Sequence, residues 1–114
     1  VVVLILIVED DEAIAYLNKR ALELAGHHVV VAVDAADARH CLDELVFDAV
    51  ISDYNLSDVD NGAELLLEVR HRIPHARRVL YSKALPYRMK LAAQAVAHSV
   101  VENATPEELV STLQ

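Results

Sequence analysis

Leu4-Ile5-Leu6-Ile7-Val8-Glu9-Asp10-Asp11-Glu12 is the stretch that decides the fold. Its apolar part extends back to Val1, is rich in β-branched residues and does not alternate with polar ones. That is the pattern of a strand covered on both faces, as in the middle of a parallel sheet. Residues 1–8 are too few to cross a bilayer as a helix, which takes about 20 residues. No basic stretch precedes them and an acidic one follows at once, so they do not read as a signal peptide.

Beyond Glu12 the period changes. Ile14, Leu17, Ala21 and Leu24 recur at helical spacing and predict a helix with these residues on its apolar side, stopped by Gly26. Residues 28–33 form a second β-branched run, and Asp34 is placed to cap a helix carrying Ala38, Cys41, Leu42 and Leu45. Phe47-Asp48-Ala49-Val50-Ile51-Ser52 reads as a third strand ending at Asp53, followed by a polar loop over residues 55–62. Leu65, Leu66 and Val69 belong to a third helix that stops before Pro74. Val79-Leu80-Tyr81 predicts a much shorter fourth strand. Residues 87–97 predict a fourth helix with Leu91, Ala92 and Ala95 on its apolar side. Ser99-Val100-Val101 predicts a fifth strand. Thr105, Pro106 and Glu108 have the N-cap, N1 and N3 spacing of a capping box.

Strands alternating with helices at these lengths give an α/β fold, a parallel sheet with helices on both faces. The 114 residues fit one domain, 1–114. Eighteen acidic against ten basic side chains, net −8, disfavour nucleic acid and an anionic membrane as direct partners. A single cysteine, Cys41, excludes an internal disulfide and suits a cytoplasmic setting. His27, His28, His40, His71, His75 and His98 are scattered and suggest no zinc site. Arg70, Arg72, Arg77 and Arg78 read as a solvated basic face.

An open parallel sheet binds its ligand beyond the carboxyl ends of its strands. There the sequence puts Glu9, Asp10 and Asp11, then Asp53, then Ser82 and Lys83, then Glu102. Carboxylates on neighbouring strand ends converge, raise one another's pKa and offer hard oxygen ligands to a divalent cation such as Mg²⁺. The plainer alternative, that Glu9 and Asp11 only start a helix, leaves unexplained why Asp53 ends an apolar strand.

The opening stretch together with Phe47-Asp48-Ala49-Val50-Ile51-Ser52-Asp53-Tyr54-Asn55-Leu56 resembles the response-regulator receiver domain of two-component signalling, over essentially the whole chain. The resemblance implies a doubly wound, flavodoxin-like (βα)5 three-layer sandwich with five parallel strands in the order 2-1-3-4-5. It implies that Asp53 accepts a phosphoryl group from a histidine kinase or phosphotransfer protein. Glu9, Asp10, Asp53 and the Asn55 backbone carbonyl would hold Mg²⁺, and Ser82 would meet a phosphoryl oxygen. The switched surface would be helix 4, strand 5 and helix 5, facing a downstream protein. Such a domain is a switch and not an enzyme. A homodimer is compatible with the sequence, which offers no argument for one.

Five positions depart from the family pattern. Glu102 stands where the family has Lys, and Asn103 where it has Pro. Lys83 stands where Ala or Gly is usual; it either replaces the missing cation or is an exposed loop lysine. Ser99 takes the place of the aromatic residue on strand five, and Ser57 that of a common Pro in a loop one residue longer than usual. These departures keep open an alternative, a degenerate receiver that serves as a phosphorylation-independent interaction or dimerisation module. A Mg²⁺-dependent hydrolase with Asp53 as nucleophile is a remote third reading, because no second acid or base supports it.

Overall fold

Strands alternate with helices in the computed structural model, which describes residues 3–56 and 60–114. The elements are β1 (Leu4–Val8), α1 (Glu12–Leu24), β2 (His28–Ala32), α2 (Ala35–Glu44), β3 (Ala49–Asp53), α3 (Gly62–Arg72), β4 (Arg77–Ser82), α4 (Tyr87–Val96), β5 (Ser99–Glu102) and α5 (Pro106–Ser111). All strand pairs are parallel, in the order β2-β1-β3-β4-β5. The α/β class and the flavodoxin-like order expected from the sequence are both found.

Side-chain parity builds two cores, one on each face of the sheet. Ile5, Ile7, Ala49, Ile51, Val79 and Tyr81 face one way and pack with Leu22 of α1 and Leu109 of α5. Leu6, Val8, Val50 and Leu80 face the other and pack with α2, α3 and α4 through Ala38, Leu65, Val69 and Ala93. β1 and β3 are therefore buried on both sides, which is why their sequences do not alternate.

Helix ends follow local chemistry. Asp11 caps α1 by accepting from the N–H groups of Ala13 and Ile14 at 2.9 and 3.1 Å. The helix stops in a Schellman motif: Gly26, at φ +97°, donates to the Glu23 carbonyl and His27 to that of Leu22. Asp34 and Asn61 cap α2 and α3, and Thr105 with Glu108 forms the expected capping box.

Several expectations are corrected. α1 buries Ala15, Asn18 and Leu22, while Leu17 and Leu24 are 55% and 76% exposed; the true stripe lies one residue, about 100°, away. α4 buries Ala93, with Leu91, Ala92 and Ala95 outside, because alanines on every side give the sequence no contrast between faces. β4 is the longest strand, six residues, since it starts at Arg77 and not at Val79. Phe47 lies ahead of β3 and is fully buried in the α2–α4 core. Leu45 is the exposed C-cap of α2, and Cys41 only flanks the core.

The arginines are not a merely solvated face. Arg78 is 8% exposed and donates to the carbonyls of Val96, Pro74 and Ala76. Arg70 donates to Ala95 and Arg77 to Thr112, so these side chains cap the carboxyl ends of α4 and α5. Arg72 pairs with Asp43 and with Glu68. His98 likewise has a structural use, its Nδ1 accepting from the Arg78 N–H at 2.9 Å. The expected starts of strand one at Val1 and Val2, and the departure at Ser57, lie outside the described residues.

Candidate functional site

Parity also selects the side chains that meet at the carboxyl edge. Glu9 continues the side of β1 that carries Ile5 and Ile7, and Asp53 the side of β3 that carries Ala49 and Ile51. The strands are neighbours, with Val8 opposite Ser52, so both carboxylates emerge together on the α1 face. One oxygen each from Glu9, Asp10 and Asp53 lie within 4.8 Å of one another. Asp11 is not part of this group, because its carboxylate is spent on capping α1.

Glu9 is 2% exposed. Its Oε1 accepts from the Tyr81 hydroxyl at 2.6 Å and its Oε2 from the Asp11 N–H at 3.1 Å. Burial raises the Glu9 pKa and nearby Asp53 raises it further, while the two donors oppose both. Burial also raises that of Asp53; the Asn55 N–H, 3.3 Å from Oδ1, opposes this and the charge on Asp10 adds to it. Two raised carboxylates beside an exposed third form a site that a cation relieves. The donors are all hard oxygens, and the open rim at Asp10 leaves room for retained waters, which suits Mg²⁺.

The cluster opens into a cavity of about 450 Å³, whose lining includes Asn55, Ser82, Lys83 and Asn103. Ser82 is buried at its wall, its hydroxyl donating to the Ala84 carbonyl at 3.2 Å. Lys83 is exposed at the rim. Glu102 does not line the cavity: it shares the face of β5 that carries Val100 and pairs with Lys90 Nζ of α4 at 2.5 Å. That pairing lowers its pKa. Asn103 takes a left-handed conformation, φ 53°, and donates its N–H to the Ser82 carbonyl at 2.6 Å, tying the ends of β4 and β5 together.

Gly62, the first residue of α3, is required by the end of β3 itself. A Cβ there would stand 2.2 Å from the Asp53 carbonyl oxygen. Its N–H donates to the Tyr54 carbonyl at 2.8 Å, so α3 begins pressed against the end of β3.

Glu9, Asp10, Asp53, Asn55, Ser82 and Lys83, all singled out in the sequence, therefore share one cavity. Three participants were not foreseen. Tyr81 donates to Glu9 from the core, Asn18 is buried at the wall of the same cavity, and Lys90 neutralises Glu102. The available signal for Asn18 was a polar residue on the stripe of Ala15 and Leu22; the wrong choice of stripe concealed it.

Comparison with known proteins agrees with this geometry. The family model for the response regulator receiver domain matches residues 5–114. The alginate biosynthesis transcriptional regulatory protein AlgB of Pseudomonas putida is 31% identical over 107 residues, 92% of this chain and 24% of that protein. The response regulator protein FleR of Pseudomonas aeruginosa is 43% identical over 72 residues, 62% of this chain and 15% of that protein. The chain thus spans about a quarter or less of these relatives' length. Among solved structures, the chemotaxis response regulator CheY4 of Vibrio cholerae superposes with a TM-score of 0.88 at 28% identity, covering 100% of this chain and 98% of that one. A CheY-like receiver domain from Methanospirillum hungatei reaches 0.90 at 24% identity, covering 99% and 91%. From the paired carboxylates after β1, the aspartate ending β3 and these matches together, the chain belongs to the response-regulator receiver domain family of two-component systems.

Proposed function

We propose that this receiver domain accepts a phosphoryl group on Asp53 from a histidine kinase or phosphotransfer protein, in the cytoplasm, and thereby switches a protein-binding surface. The observation that carries the reading is the placement of Asp53 with Glu9 and Asp10 within 4.8 Å at the mouth of a cavity that also holds Ser82 and Lys83. A solved response regulator of this fold from Burkholderia pseudomallei, 23% identical, contains a phosphorylated aspartic acid and a calcium ion, so the fold accommodates both.

A carboxylate oxygen of Asp53 attacks the phosphorus of the donor's phosphohistidine. The P–N bond breaks, the imidazole nitrogen keeps the electron pair and takes up a proton, and an acyl phosphate forms on Asp53. The Asn55 N–H holds one Asp53 oxygen and leaves the other for attack. Glu9, Asp10, Asp53 and the Asn55 carbonyl would hold Mg²⁺, which would offset charge on the carboxylates and on the phosphoryl oxygens. The Ser82 hydroxyl leaves Ala84 to meet a phosphoryl oxygen. Lys83 supplies the cation that position 102 lacks; it is the one lysine lining the cavity among the described residues. The domain is a switch and not a turnover enzyme. Its output surface is α4, β5 and α5, and the names of its relatives point to control of transcription.

Acetyl phosphate with Mg²⁺ is expected to add one phosphoryl group to the wild type and none to Asp53→Ala. Beryllofluoride, a phosphoryl mimic, is expected to shift amide resonances around Asp53, Ser82 and α4, with Lys83→Ala weakening its binding. Labelling of Asp53→Ala equal to wild type would sink the proposal. The absence of any labelling or shift in wild type would favour the phosphorylation-independent module, for which the Glu102–Lys90 pair is the supporting observation.

A further inference from the structure

We infer that Tyr81 is a positioning residue for the carboxylate site: it fixes the Glu9 side chain in the arrangement that receives a divalent cation. The inference rests on the cation-binding reading of Glu9, Asp10 and Asp53.

Tyr81 lies on β4, 9% exposed, in the core that also contains Ile7, Ile51 and Leu109. Its ring is held by this packing, and its hydroxyl reaches Glu9 Oε1 at 2.6 Å. Asn18 of α1 is 4% exposed and lies beside Tyr81 at the wall of the same cavity. A tyrosine hydroxyl has one hydrogen to give, and that of Tyr81 is committed to Glu9. The other carboxylate oxygen is held by the Asp11 N–H, so Glu9 is gripped from both sides.

A glutamate has one more rotatable bond than an aspartate and loses more freedom when fixed. Asp53 is placed by its strand and by the Asn55 N–H, but Glu9 must be aimed by its neighbours. An apolar residue at position 81 would fill the core equally well and leave Oε1 without that donor. Aim matters unequally between ions. Mg²⁺ demands near-octahedral geometry at short distances, whereas Ca²⁺ tolerates irregular shells. A role in packing alone predicts no such distinction.

The test is calorimetric titration of the metal-free protein with Mg²⁺ and with Ca²⁺, for wild type, Tyr81→Phe and Asn18→Leu, with thermal melts to check folding. Tyr81→Phe is expected to weaken Mg²⁺ binding about tenfold, the usual effect of removing a partner that orients a metal ligand, and Ca²⁺ binding much less. The ratio of the two affinities therefore falls. Asn18→Leu should move the ratio the same way by a smaller factor, and it decides the matter alone if Tyr81→Phe does not fold. An unchanged ratio in the folded variants overturns the positioning role while leaving the cation site intact. Failure of the wild type to bind either ion overturns the cation reading itself, and this inference with it.

Discussion

Asp53 is held in two conflicting ways. Strand packing buries it and the charge on Asp10 repels its own, which outweighs the Asn55 and Tyr54 N–H groups that favour the ionised form, so the metal-free carboxylate sits in an unfavourable field. Replacing it with the isosteric, neutral Asn should stabilise the metal-free protein by on the order of 1 kcal/mol, about 4–8 °C in melting temperature. Millimolar Mg²⁺ should raise the wild-type melting temperature and have less effect on Asp53→Asn. The pH dependence follows from the raised pKa values. The native state holds protons on Glu9 and Asp53 more tightly than the unfolded chain does. Their contribution is favourable at low pH and is lost as pH rises above the ordinary values of 4.5 and 3.8. Without metal, the gap in melting temperature between Asp53→Asn and wild type should widen from about pH 4 to about pH 7. A constant gap would show that charge is not the cause. At Gly62 the constraint is steric. Gly62→Ala must displace either α3 or the Asp53 carbonyl, and a urea titration should show a loss of about 2–3 kcal/mol.

At the scale of elements, what the sequence revealed depended on how much contrast each segment carries. β1 and β3 were plain because their long apolar runs end abruptly in acid, and the same abruptness exposed Glu9, Asp10 and Asp53. α1 was found but turned the wrong way, since Leu17 and Leu24 are larger than Ala15 and outweigh it in any apolar count, although they face outward. That error also hid Asn18. Tyr81 was visible as an aromatic residue on β4, but its tie to Glu9 joins positions far apart in the chain and needs the pairing of β4 with β3 and of β3 with β1. Helix ends were more legible, because capping chemistry is local. Gly26 illustrates this: nothing lies within 4 Å of the position of an added Cβ, so Gly26→Ala meets no clash and bears only the cost of φ +97°. Chemical denaturation should show a loss of about 1–2 kcal/mol, the penalty of a left-handed residue with a side chain. A neutral result would mean that α1 unwinds its last turn at no cost.

Across the whole molecule, charge is sorted between the two edges of the sheet. The carboxylates gather beyond the carboxyl ends of the strands, while Arg70 and Arg78 sit at the other edge and hold the last carbonyls of α4. α4 is thus anchored by two different kinds of bond. Its C-terminal turn is fixed by arginines on Ala95 and on Val96, the latter at 2.7 Å, contacts that no event at Asp53 directly alters. Its N-terminal half is tied to β5 by the Lys90–Glu102 pair, at the end of a strand whose neighbour, Ser82, lines the cavity. A phosphoryl group that draws Ser82 and the β4–β5 ends inward would therefore load the Lys90 end and leave the arginine end in place, so that α4 pivots about its C-terminus. Glu102→Gln removes the charge of the weaker anchor without removing side-chain volume. Native-state hydrogen exchange should then speed up several-fold at amides in the first half of α4, with those of its last turn and of β1 and β3 unchanged. The same selective loosening should appear in wild type at high salt, because the pair is partly exposed and therefore screened. Equal acceleration along the whole helix would place the hinge elsewhere, and no acceleration would mean that the pair does not restrain α4.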